Sequence, residues 1–221
     1  HQKILIVLER EKSENLLLNI LPAPVANELK EKGTATPQSY ENVSVLFADL
    51  VGFTVRAGVM TPASIINELD YCFQAFDDII EKYGLEKIKT MGDGYMCAGG
   101  VPLPSPDSSI NTVKAGIEMQ HFVKEWGNRK EKLGEKPWQI RVGIHTGEII
   151  AGVVGKKKFA YDIWGDTVNT ASRLETACEP GKVNISGNTQ AILKDQIISE
   201  FRGKIIVKEK EVEMYYVLQT A

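Results

Sequence analysis

A chain of 221 residues, 43% hydrophobic and 25% charged, has enough apolar material for one well-cored domain with an appendage, or two small domains, and is neither disordered nor fibrous in composition. Its net charge of −3 gives no general pull toward nucleic acid or acidic membranes, so a polyanionic substrate needs a local basic site. Three cysteines (Cys72, Cys97, Cys178), none at CxxC spacing, argue against a disulfide framework or a zinc site and for a reducing, cytoplasmic setting.

The chain opens on His1 where a start Met would stand, which fits a fragment of a longer protein or a tagged one. Its early apolar run, Ile4 to Leu8, is far too short to span a bilayer, and no signal-peptide pattern follows. A membrane receptor upstream stays open. Residues 3–20 predict a helix that Pro22 and Pro24 stop, since proline lacks the N–H and clashes with the preceding turn. An amphipathic piece, Val25 to Lys32, follows, and Gly33 to Tyr40 reads as a linker. The expected division is therefore an N-terminal helix and linker over 1–38 and a main domain over 39–221.

Val43 to Leu50 (VSVLFADL) is a β-branched and aromatic run, hence a buried strand closed by Gly52. The next helix has Thr61 as cap, Pro62 in its first turn and Gly84 at its end. Ile65, Leu69, Cys72, Phe76, Ile79 and Tyr83 form its apolar stripe. Two strands then flank a turn at Gly92-Asp93-Gly94. A second helix is expected from about Ser109 to Lys130, with Ala115, Met119, Phe122 and Trp126 on one side. Trp138 to His145 alternates as a strand with Arg141 outward, and Ile149 to Val154 is a further apolar run. This β-α-β-β-α-β order gives an α+β class with a ferredoxin-like core and an antiparallel-containing sheet. A helix near Thr167 to Cys178, a strand near Val183 and a hairpin from Ile205 to Leu218 complete it.

Two aspartates each end a hydrophobic strand beside glycine: Asp49 in FADLVGFT (47–54) and Asp93 in KIKTMGDGYM (87–96). Either alone could be a turn residue. Together, on adjacent strands, they could offer oxygen ligands suited to Mg²⁺ or Mn²⁺, completed by phosphates and water. The loop from Leu50 to Thr54 could cradle phosphate oxygens, although it is not a Walker A loop. In YDIWGDTVNTASRLE (161–175), Asn169 and Arg173 project from one helix face, which could equally be an ordinary solvated face. Arg141, Lys208 and Lys210 could neutralise polyphosphate or be scattered surface cations.

Taken together, FADLVGFT, KIKTMGDGYM, IRVGIHTGE (140–148) and YDIWGDTVNTASRLE resemble the class III adenylyl and guanylyl cyclase catalytic domain over roughly residues 39 to 218. The N-terminal LLLNILPAPVANELKEKG resembles the helix that couples an upstream sensor to such cyclases. The resemblance implies a head-to-tail homodimer with each active site at the interface. It implies that Asp49, Asp93 and the Leu50 carbonyl hold two Mg²⁺ or Mn²⁺ ions, and that Gly52, Phe53, Thr54 and Arg141 of the same protomer hold the phosphates. The second copy would supply Lys89 and Asp162 for the base, Asn169 for the ribose, Arg173 for the α-phosphate and Lys208 for the terminal phosphates. The implied reaction is in-line attack of the ribose 3′-oxygen on the α-phosphorus, with Asp49 or solvent taking the proton. Lys and Asp could pair with adenine or, exchanged in place, with guanine; their positions resemble adenylyl cyclases, so ATP is the expected substrate. One departure is VKEKE (207–211) where the family usually has VKGKG: two glutamates replace glycines, changing backbone freedom and charge around Lys208. The rival readings are a guanylyl cyclase and a catalytically silent dimerising module. A diguanylate cyclase would need a GGDEF-type signature, and a polymerase palm a basic groove; neither is present.

Overall fold

The computed structural model describes residues 2–155 and 158–220, apart from the side chains of residues 2–8 and 10. In chain order the elements are α1 (Gln2–Leu18), α2 (Ala23–Lys32), β1 (Gln38–Leu50), α3 (Phe53–Ala57), α4 (Pro62–Tyr83), β2 (Glu86–Met91), β3 (Gly94–Gly99), α5 (Ser108–Lys132), β4 (Ile140–Val154), β5 (Ala160–Trp164), α6 (Asp166–Thr176), β6 (Val183–Ser186), α7 (Gly187–Leu193), β7 (Ile197–Val207) and β8 (Lys210–Thr220). Helix signals in the sequence correspond to real caps. Thr61 accepts a hydrogen bond from the Ser64 amide at 3.2 Å, and Gly84 ends α4 at φ +65°. Pro22 stands before α2 and Pro24 lies in its first turn.

The sheet order is β2-β3-β1-β4-β6-β8-β7, with β5 also paired to β4. All pairs are antiparallel except β4 with β6. Within it, β1-α4-β2-β3-α5-β4 is the expected ferredoxin-like unit. Alternation along β1 divides two cores. Leu46, Ala48 and Leu50 join Ile140, Val142 and Ile144 under α4 and α5, packing on Cys72, Phe76 and Met119. Val43, Val45 and Phe47 point the other way, toward Leu21, Ala26, Tyr161, Ile163 and Ala171. Asp49 follows Val45 and Phe47 on that second face. Burying these side chains stabilises the fold by about 1.5–3 kcal/mol for each large one.

Four local expectations change. β1 begins at Gln38, inside the stretch read as linker, because Gln38, Ser39 and Tyr40 pair with Ala151, Ile150 and Ile149. The two runs 138–145 and 149–154 are one strand, β4, continuous through Thr146 to Glu148. The last hairpin is longer than expected, with β7 starting at Ile197. β5, α3 and α7 were not anticipated at all. The cysteines are three buried unpaired thiols, and among the described residues no helix is long and apolar enough to cross a membrane.

Candidate active site

β1 sits between β3 and β4, with Asp49 opposite Gly94 on one side and Arg141 on the other. The turn between β2 and β3 is two residues, Gly92 and Asp93, closed by the Met91–Gly94 pair, with Gly92 at φ +61°. Pairing β3 to β1 therefore brings the Asp93 turn beside the end of β1. A Cβ on Gly94 would lie 3.2 Å from the Met91 carbonyl oxygen and at an ordinary contact distance of 3.6 Å from Asp49 Oδ1. Burial raises the Asp93 carboxyl above its ordinary range, and the adjacent Asp49 charge raises it further, against a smaller opposing pull from Arg141. The two aspartates expected to meet do meet.

Arg141 donates to Asp49 Oδ2 from Nη2 at 3.1 Å. Its Nε stands 2.9 Å from Glu175 Oε1 on α6, an ion pair whose alignment falls short of a hydrogen bond. Glu175 is buried, and burial raises its carboxyl while Arg141 pulls it down. Sequence reasoning missed Glu175, although it closes the quoted ASRLE run. The close seat of α6 on β4 depends on Gly143, where a Cβ would lie 2.0 Å from the Glu175 backbone nitrogen.

Beyond β1, Gly52 at φ +70° turns the chain into α3, with open space around its Cα. Thr54 is exposed and Phe53 leans on Trp138, ring centroids 5.9 Å apart.

Lys89 on β2 and Asp162 on β5 meet as an ion pair at 2.5 Å, and Asp162 Oδ1 also accepts from the Ile163 amide at 2.9 Å. Along β4, Asp162 pairs with Gly152, eleven residues beyond Arg141. Asn169 and Arg173 lie on the exposed face of α6, and Asn169 donates to the Gly165 carbonyl at 3.1 Å. Lys208 and Glu209 form the β7–β8 turn, both left-handed at φ +45° and +68°. Lys208 stands 3.6 Å and Lys210 3.3 Å from the Asp166 carboxylate at the start of α6. Asp166 is a second residue that sequence reasoning passed over.

Among the described residues no group of three or more His, Cys, Asp and Glu side chains could hold a metal ion. The Asp49–Asp93 pair is a partial oxygen set, two carboxylates at one edge of the sheet. Such a set fits Mg²⁺ or Mn²⁺, ions that keep water and take substrate phosphates as ligands.

The adenylate and guanylate cyclase catalytic domain model matches residues 35–220. The chain is 42% identical to an adenylate cyclase of Mycobacterium tuberculosis over 205 residues, 92% of this chain and 45% of that protein. It is 38% identical to guanylyl cyclase C of Homo sapiens over 212 residues, 94% of this chain and 20% of that one. The structure of the adenylyl cyclase CyaB from P. aeruginosa superposes with a TM-score of 0.79 at 31% identity, over 84% of this chain and 97% of that one. This chain belongs to the class III adenylyl and guanylyl cyclase catalytic domain family. It spans less than half the length of the curated relatives it matches.

Proposed function

We propose that this domain is an adenylyl cyclase, converting ATP to 3′,5′-cyclic AMP and pyrophosphate at sites completed by a second copy of the chain. What supports the choice of base is the Lys89–Asp162 pair, a donor and an acceptor held 2.5 Å apart at positions that resemble those of adenylyl cyclases, since the two residue types alone suit either purine. Adenine offers the matching acceptor at N1 and donor at its 6-amino group. A mispaired buried polar group costs about 1–3 kcal/mol, enough to discriminate bases.

Asp49, Asp93 and the Leu50 carbonyl are the proposed holders of two Mg²⁺ or Mn²⁺ ions, which would lower the pKa of the 3′-hydroxyl and offset charge on the departing pyrophosphate. Gly52, Phe53, Thr54 and Arg141 hold the triphosphate from the same protomer. From the second copy, Lys89 and Asp162 read the base, Asn169 orients the ribose, Arg173 stabilises charge growing on the α-phosphoryl oxygens, and Lys208 reaches the terminal phosphates. Arg141 directs Nη2 to Asp49 and Nε to Glu175, and its five N–H donors leave capacity for phosphate beside those partners. Because Lys208 is drawn to Asp166, its step onto phosphate competes with that contact. The separation of Arg141 from the β5 register of Asp162 along β4 supports assembly of each site from two chains. Residues 1–38 are proposed as the segment joining an upstream sensor to the catalytic domain.

Assay of cyclic nucleotide from ATP and from GTP, with each metal and across protein concentrations, tests this. Cyclic AMP from ATP, with specific activity rising as protein concentration rises, is expected. Preferential turnover of GTP would establish instead the guanylyl activity named for the Homo sapiens relative.

A further inference from the structure

The segment proposed to hold phosphate is held at its start by Phe53 against Trp138 and has little apolar support beyond it. α3 is five residues long with none buried, and Val55 is 80% exposed. A single turn fixes more backbone than its hydrogen bonds repay, so it needs an outside anchor. Arg56 supplies one. Its guanidinium lies 3.3 Å from the centroid of the Trp138 ring. Nη1 donates to the Pro137 carbonyl and Nη2 to the Lys136 carbonyl, each at 2.8 Å. Upstream in the same loop, the Val51 amide donates to the Gln139 carbonyl at 2.8 Å.

Trp138 is itself immobilised. It is 1% exposed and donates its indole N–H to Glu68 of α4. Glu68 accepts from Lys130 of α5 at 2.6 Å, and Lys130 also donates to Glu135 at 2.7 Å. A continuous set of contacts thus runs from the two long helices through one indole to the arginine of α3. Three residues after Trp138 the chain reaches Arg141, the partner of Asp49.

We infer that Arg56 is a positioning residue: stacked on Trp138 and forked onto the 136–137 carbonyls, it fixes the Gly52–Thr54 loop in the conformation that receives the triphosphate. This rests on the nucleotide-cyclase reading of the loop. The fork gives the role its chemistry, since a lysine keeps the charge over the ring but cannot hold two carbonyls in one plane.

The test compares the parent chain with Arg56→Ala and Arg56→Lys, using Mn²⁺ and ATP. Freeing about one residue's worth of backbone corresponds to roughly 5- to 30-fold in binding. Arg56→Ala should raise KM for ATP by that order with kcat changing much less, and Arg56→Lys should fall between. Inhibition by inorganic pyrophosphate, which has only phosphates to offer, should weaken in parallel, while inhibition by adenosine should not. The thermal midpoint should stay near the parent's. A folded Arg56→Ala protein with unchanged KM and pyrophosphate inhibition would overturn the inference. So would equal weakening toward adenosine and pyrophosphate, the mark of a general structural prop. Calorimetric titration of pyrophosphate with Mn²⁺ needs no turnover. A parent that binds pyrophosphate but makes no cyclic nucleotide would sink the reaction, leaving Arg56 to be judged by the binding ratio.

Discussion

Lys89 and Asp162 are paired with each other, so under the proposed function a base read by both must replace a charged hydrogen bond with two of its own. Asp162, with 17% of its side chain exposed, is the more enclosed of the two, and its other oxygen is fixed by the Ile163 amide. Lys89, at 41%, is freer to swing. Changing one member alone leaves the other mispaired, so Lys89→Glu and Asp162→Cys should each lower turnover of both ATP and GTP. The two together should shift kcat/KM from ATP toward GTP by roughly 5- to 150-fold, measured by competing the nucleotides in one assay. An unchanged ratio in the double variant would remove these residues from base reading.

At the scale of elements, the seat of α6 on β4 determines where Asn169, Arg173 and Glu175 stand. Gly143 permits that seat. An added Cβ would lie 2.0 Å from the Glu175 nitrogen and 2.7 Å from the Ala171 carbonyl oxygen, both backbone atoms that cannot rotate away. Gly143→Ala should therefore destabilise the domain by at least the ~1–3 kcal/mol typical of overpacking, seen as a lower urea midpoint, and reduce activity with it. Elements with their own chemical punctuation were legible in the sequence: Thr61 and Gly84 bracket α4, and the Gly92-Asp93-Gly94 stretch marks its hairpin. Elements defined by a distant partner were not. Gln38 to Tyr40 look like linker until they pair with residues 149–151, β5 is a strand because β4 lies beside it, and α3 is too short to show a period. The site divides in the same way. Asp49 and Asp93 announce themselves as carboxylates, one near the end of an apolar strand and the other between two glycines of a turn. Glu175 and Arg56 read as surface charges, because Arg141 and Trp138, the partners that give them roles, lie far away in sequence.

At the scale of the whole molecule, one chain holds both halves of the proposed site, but Arg141 and the register of Asp162 are eleven residues apart on β4. Asp93→Ala and Asn169→Ala should each be nearly inactive as pure proteins. Mixed in equal amounts they should recover activity, since one of the two sites in a mixed dimer carries neither change. Mixed dimers, verified by differential tagging, that stay inactive would rule out a shared site.

The uninterrupted course of β4 also limits how this domain can change over time. A strand turns its side chains over at every step, so gaining or losing one residue between Arg141 and Gly152 would rotate everything beyond it to the opposite face unless a bulge absorbed it, as β1 does between Tyr40 and Val43. The strand thus acts as a spacer, with Arg141, the partner of Asp49, at one end and Gly152, opposite Asp162, at the other. Length variation is far better tolerated in an exposed connection such as residues 103–107, which joins β3 to α5 without setting a register. A lineage can therefore lengthen or trim its surface turns while the separation of the two chemical halves stays constant.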